Sequence, residues 1–173
     1  MEVELQAGER LDDLMTHELK IIQSREVFSF SLDAVLLARF CSVPAKGRVV
    51  DLCSGNGVIP ILLTTRTKLP VTGVEIQPRL ADMARRSVAL NRLGGQIDIV
   101  EGDLNHYADG EQVTLVTVNP PYMSAQQAAD RNDNPHYALA RHEIACTLED
   151  VVRAGGRLLQ TGGKFAMVHR PTR

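Results

Sequence analysis

The chain has 173 residues, 44% of them hydrophobic, and a formal net charge of -2. That length and apolar content suit a single domain with its own core and exclude a disordered tail, while the slight negative charge excludes a protein that coats nucleic acid by charge alone. Cys41, Cys53 and Cys146 are too irregularly spaced for a zinc site or a disulfide framework, no run approaches the roughly 18 apolar residues of a membrane span, and the acidic amino terminus lacks a signal peptide's basic region; a cytoplasmic protein with reduced thiols, no metal and no membrane contact is expected.

Residues 1–47 read as a helical and extended preface. Leu11, Leu14, Met15 and Leu19 recur at helical spacing, so residues 9–19 are expected to form a short amphipathic helix, followed by an extended segment from Lys20. Ser31 then caps a helix running to about Cys41, with Asp33 in its first turn. From Arg48 short apolar runs alternate with amphipathic helices, the pattern of a parallel sheet with helices on its faces. Strands are expected at residues 48–52, 71–75, 96–100, 113–118 and 164–169, with helices at 58–65, 78–93 and 148–159. Pro78 opens the second of these helices and Gly94-Gly95 closes it. The polar segment after Asn119, to about Ala138, is long enough to suggest a functional loop that orders with substrate.

In an open α/β sheet, ligands sit beyond the carboxyl ends of the strands. Asp51 closes the first core strand, and Cys53-Ser-Gly-Asn-Gly57 follows, with Ser54 beside glycines that let the backbone approach a ligand. Glu75 ends the second strand, Asp103 follows the third and Asn119 the fourth, making a row of acids and an amide along one edge. The glycine loop has neither the three-glycine dinucleotide fingerprint nor a Gly-Lys-Ser/Thr ending, and acids at both ends suit it poorly to a polyphosphate. A nucleoside bearing a cation fits better. In Asn119-Pro120-Pro121-Tyr122, the prolines remove two backbone donors and leave the Asn119 side chain and the Pro120 carbonyl as acceptors for an amine. The same four residues also make an ordinary strand-terminating turn. Residues 119–173 carry 7 Lys+Arg against 5 Asp+Glu, a weak pointer to an anionic partner on that side.

As an ordered set, Asp51 to Gly57, Glu75, Asp103 and Asn119 to Tyr122 resemble the class I methyltransferases that use S-adenosylmethionine, over roughly residues 30–170. The resemblance implies a Rossmann-like sheet with helices on both faces. It implies that Asp51, Ser54, Gly55, Gly57, Glu75, Asp103 and Asn119 hold the cofactor, with Glu75 on its ribose and Asp103 on its adenine. Asn119, Pro120 and Tyr122 would be catalytic, and Asn119, Pro121, Tyr122 and Arg141 would bind substrate. Three segments, Glu9 to Leu14, Phe28 to Leu37 and Ala140 to Glu143, look closer still to bacterial enzymes that methylate an adenine amine beside the anticodon of valine tRNA. RNA, and tRNA in particular, is the partner implied. Glutamine-N5 methylation of release factors, guanine methylation of ribosomal RNA, and a non-catalytic cofactor- or RNA-binding module remain as alternatives. Sheets of this class have seven strands, so a chain ending after the fifth is expected to lack the last two and to self-associate through the exposed edge.

Overall fold

The computed structural model describes residues 3–27, 29–110, 113–120 and 146–169. Its centre is a parallel five-stranded sheet of order β5-β4-β3-β6-β7, built from β3 (Arg48–Leu52), β4 (Val71–Glu75), β5 (Ile97–Glu101), β6 (Val113–Val118) and β7 (Leu159–Met167). Because both faces are covered, the inner strands are rich in valine and leucine on both faces; all residues of β4 and β6 are buried. One face packs Val49, Val71, Ile99 and Leu115 against α1 (Leu32–Phe40), α2 (Val58–Leu63) and α3 (Pro78–Leu90). The opposite face packs Val50, Leu52, Val74, Val116 and Val118 against α4 (Leu148–Leu158). The fold is therefore Rossmann-like, with helices on both faces of the sheet.

Alternation along β6 breaks at Thr114, where the register against β3 shifts, so Val113 joins Val116 and Val118 on the α4 side. The partner strand compensates: β7 advances from Leu159 to Lys164 while β6 advances only from Val113 to Leu115. Gly162, at φ +79°, lies in that excess length. This corrects the expected fifth strand at 164–169. Its first residues, Leu159-Gln-Thr-Gly-Gly163, look like a turn but enter the sheet directly from α4.

The preface differs from expectation more deeply. Residues 9–19 are not a helix: β1 (Glu9–Asp13) pairs antiparallel with β2 (Lys20–Ser24), with Leu11 opposite Ile22. The connecting turn holds Met15, His17 and Glu18 at φ of 53°, 48° and 58°, values that a right-handed helix excludes. The apparent helical stripe does not face one core, since Leu19 is buried and Met15 is 88% exposed. What fixes the hairpin is α3. The Ile22 N–H donates to Ser87 Oγ at 3.0 Å, Asn91 exchanges two bonds with the Lys20 backbone, and Arg86 forks onto Glu9 at 2.6 and 2.7 Å. Ile22, Val27, Leu80 and Met83 form the small core between them.

Among the described residues, no helix is long and apolar enough to cross a membrane, and no group of three or more His, Cys, Asp or Glu could hold a metal.

Candidate functional site

Strand order reverses between β3 and β6, and the main pocket opens beyond the carboxyl ends of the strands at that point, enclosing about 770 Å³ of space measured out to its open mouth. Four strand ends build its polar wall: Ser54 and Gly55 after β3, Glu75 at the end of β4, Asp103 after β5 and Asn119 after β6. Phe30 and Ala34 close the side nearest α1; Asp33 does not line the pocket.

The glycine loop is shaped by left-handed backbone. Cys53, Gly55 and Gly57 have φ of 55°, 57° and 85°, so every second residue turns in a region costly to side chains, and Cys53 carries that cost in a non-glycine residue. The turn aims the Gly55 N–H at Glu75 Oε2, at 2.7 Å, while Glu75 Oε1 accepts from the Gln77 N–H at 2.9 Å. Glu75 is thereby fixed from both sides, and each carboxylate oxygen keeps a lone pair for a further donor. Burial pushes its carboxyl above the usual range, opposed by these backbone donors. Among the described residues, none beyond its chain neighbours has an atom within 4 Å of where a Cβ at Gly55 would stand, so the loop leaves open a cradle that any side chain would begin to fill.

Asp103 lies one turn beyond β5. Its Oδ1 accepts the Asn105 N–H at 2.8 Å, which folds the loop back on itself. Arg157 on α4 holds the same loop from outside, donating to the carbonyls of Asn105, Leu104 and Tyr107 at 2.6, 2.8 and 2.9 Å. Asn119 Oδ1 is buried with no hydrogen-bond partner among the described residues, although Asn119 borders the pocket. A buried amide oxygen without a donor costs roughly 1–3 kcal/mol, so this atom is held ready for a donor from elsewhere.

Ser54, Gly55, Glu75, Asp103 and Asn119 thus converge as the sequence suggests. Three candidates do not reach the wall. Asp51 is fully buried behind it, accepting a 2.6 Å bond from Thr117 Oγ1, and desolvation pushes its carboxyl up to about 7; the Thr117 and Ser54 hydroxyls act against that rise and Glu75 adds to it. Gly57 starts α2, where a Cβ would come within 3.1 Å of Ala84 Cβ. Pro120 is buried and is not a lining residue. Pro121, Tyr122, Arg141 and the rest of the expected loop lie outside the described residues.

Neither Asn56 nor the proximity of Cys53 to Cys146 was singled out from sequence. Asn56 lines the pocket and ties the glycine loop to the hairpin, its Nδ2 donating to the Ile22 carbonyl at 3.1 Å. Its position between two glycines was the available signal. Cys53 and Cys146 line the pocket together, and 93 residues of intervening chain hid their proximity.

The family model described as Methyltransferase small domain matches residues 18–172. The chain belongs to that family. Relatives of this methyltransferase small-domain chain include the tRNA1(Val) (adenine(37)-N6)-methyltransferase of Aeromonas salmonicida, 31% identical over 79% of this chain and 57% of that protein. The protein of the same name from Porphyromonas gingivalis is 30% identical, over 79% of this chain and 56% of its own length. The chain therefore spans little more than half the length of these relatives. In fold it is similar to a SAM-dependent methyltransferase from Thiobacillus denitrificans solved with S-adenosyl-L-homocysteine, with a TM-score of 0.57 and 18% identity over 83% of this chain and 49% of the other.

Proposed function

We propose that this methyltransferase small-domain chain carries the site that transfers a methyl group from S-adenosylmethionine to the exocyclic amine of an adenine in RNA, with tRNA near the anticodon as the substrate. The observation that carries the reading is the buried Asn119 Oδ1, without a hydrogen-bond partner among the described residues, at the edge of a pocket whose wall carries the carboxylates of Glu75 and Asp103. Such a wall suits a cationic nucleoside, and such an oxygen suits an amine. The relatives named for adenine-N6 methylation of tRNA1(Val) support RNA as the acceptor class, and a cytoplasmic address goes with that substrate.

Bound S-adenosylmethionine supplies an electrophilic methyl group. The residues of the chain do the rest. Glu75 accepts from the ribose hydroxyls with the lone pairs that Gly55 and Gln77 leave free, and Asp103 accepts from the cofactor's adenine amine. The open space at Gly55 admits the cofactor's amino-acid end. Asp51 and Gly57 act one step back, Asp51 from beneath Ser54 and Gly57 by turning the loop into α2. At the acceptor, Asn119 Oδ1 accepts a hydrogen bond from the substrate amine, while Pro120, which does not line the pocket, fixes the backbone behind it. That favours a more tetrahedral nitrogen and stabilises the positive charge that grows on it during attack. Alignment of nitrogen, methyl and sulfur supplies much of the remaining acceleration. No general base is needed, since the alkylated ammonium loses its proton readily to water. Tyr122 stacks on the extruded base, a contact worth about 1–3 kcal/mol in single-strand binders, and Pro121 and Arg141 complete the substrate side.

The test is transfer of labelled methyl from S-adenosylmethionine to unmodified tRNA, with ribosomal RNA and a peptide release factor in parallel, followed by nucleoside and amino-acid analysis. Label is expected as N6-methyladenosine in tRNA. Label confined to release-factor glutamine or to guanine would replace the acceptor, and no label in any of the three despite measured cofactor binding would overturn the reading.

A further inference from the structure

Cys53 and Cys146 are unused by the transfer chemistry, yet their sulfurs stand 3.9 Å apart on the wall of the pocket. One belongs to the glycine loop, in strained left-handed backbone at φ 55°; the other lies one residue before the Thr147 cap of α4. We propose that these two thiols form an oxidation-sensitive pair that closes to a disulfide and shuts the cofactor pocket. The inference rests on reading this pocket as the cofactor site.

The geometry favours the pair over any other combination. Its sulfurs are in contact and need to approach by about 2 Å to bond. Cys41 is buried at 1% exposure elsewhere, with its sulfur engaged by the Ala38 carbonyl and by Arg66. A small oxidant reaches both thiols through the open mouth of the pocket. Either sulfur can donate to the other, and this contact holds the Cys53 thiol above its ordinary range and the Cys146 thiol below it, with desolvation and the neighbouring carboxylates opposing the lowering. Cys146, one residue before the cap of α4, stands where a helix N-terminus favours a thiolate, and it is the attacking sulfur.

With a hydroperoxide as oxidant, the Cys146 thiolate attacks the near oxygen and breaks the O–O bond. For hydrogen peroxide this yields a sulfenic acid and hydroxide. Cys53 sulfur then attacks the Cys146 sulfur; the S–S bond forms, the S–O bond breaks, and the proton of Cys53 leaves with the departing oxygen as water. Two thiols have been oxidised and one peroxide reduced. The crosslink draws the glycine loop toward the start of α4 and narrows the space between Ser54 and Asn119. Linkage makes the effect reciprocal: bound cofactor disfavours the disulfide relative to the dithiol at equilibrium by the same factor by which the disulfide weakens binding.

The 173-residue chain is treated with hydrogen peroxide, with and without S-adenosylhomocysteine, then denatured, alkylated and weighed intact. The expected product is a monomer about 2 Da lighter that takes up one alkyl group, at Cys41, and returns to three after dithiothreitol. Cys53→Ser and Cys146→Ser should each give no such species. Equilibrium dialysis should show S-adenosylhomocysteine binding weakened by about tenfold or more in the oxidised chain and restored on reduction. A product linked between two chains, a disulfide to Cys41, or oxidation of single cysteines only would overturn the pairing. A Cys53–Cys146 disulfide that leaves binding unchanged would overturn the closure. Failure of the reduced chain to bind S-adenosylhomocysteine would remove the cofactor reading, and with it the closure, while the mass result would still decide the pairing.

Discussion

At Asn119 activity and stability pull in opposite directions. Its amide oxygen is buried without a donor, so truncating it removes a desolvation cost of roughly 1–3 kcal/mol while deleting the acceptor proposed for the substrate amine. Asn119→Ala is expected to leave cofactor binding nearly intact, to hold or raise the melting temperature, and to lower turnover by roughly 10²-fold or more. Equal losses of cofactor binding and turnover in calorimetry and methyl transfer would contradict it. Asp51 gives a pH signature instead. Its carboxyl titrates near 3.8 when unfolded and at about 7 when folded. The native state therefore holds the extra proton across that window, and stability falls as pH rises through it, by roughly 4 kcal/mol in the limit. Urea denaturation should show wild type losing more stability than Asp51→Asn between pH 5 and pH 8, whereas equal losses would mean that Asp51 does not titrate there. The strand-end acids were legible in the sequence because each ends an apolar run, but which of them face the pocket was not. Asp51 ends an apolar run as the others do, yet it lies behind the pocket wall with its Oδ1 on Thr117.

Two contacts of α4 decide how it supports the site. A Cβ at Gly155 would stand 2.2 Å from the Phe165 ring of β7, so the glycine allows the helix to lie close on the sheet. Gly155→Ala gains helix propensity and is nonetheless expected to cost about 1–3 kcal/mol through overpacking, with Phe165→Ala in the same chain recovering much of it. Thermal melts of the three proteins check this. Arg157, two residues on, clamps the loop that carries Asp103. Arg157→Ala should weaken cofactor binding several-fold by loosening that loop, an effect of roughly 1 kcal/mol readable by calorimetry. Elements that carry their own pattern, β3, β4 and β6 as buried runs and α3 as a helix with one buried face, are legible from sequence. The hairpin is not, because β1 has little apolar surface of its own and takes its conformation from β2 and α3. The bulge at Thr114 is equally hidden, since it arises from fitting β6 between two strands of different register.

For the whole molecule, the outer edge of β7 has no strand partner among the described residues, and Leu32, Leu36 and Phe40 form an apolar stripe on α1 at 70%, 52% and 86% exposure. Unpaired edges and uncovered apolar stripes favour association. The isolated 173-residue chain is expected to self-associate with concentration in light scattering; a monomer stable over a wide concentration range would count against it. The same whole-molecule view gives the hairpin another meaning. The Ile22 carbonyl receives Asn56 from the glycine loop, and the Ile22 N–H is held by Ser87. Opening at that one residue frees the pocket floor and the hairpin together, so a ligand that requires the closed loop must also slow the opening of β2. Hydrogen exchange at the Ile22 amide would then register occupancy of a pocket that Ile22 does not line.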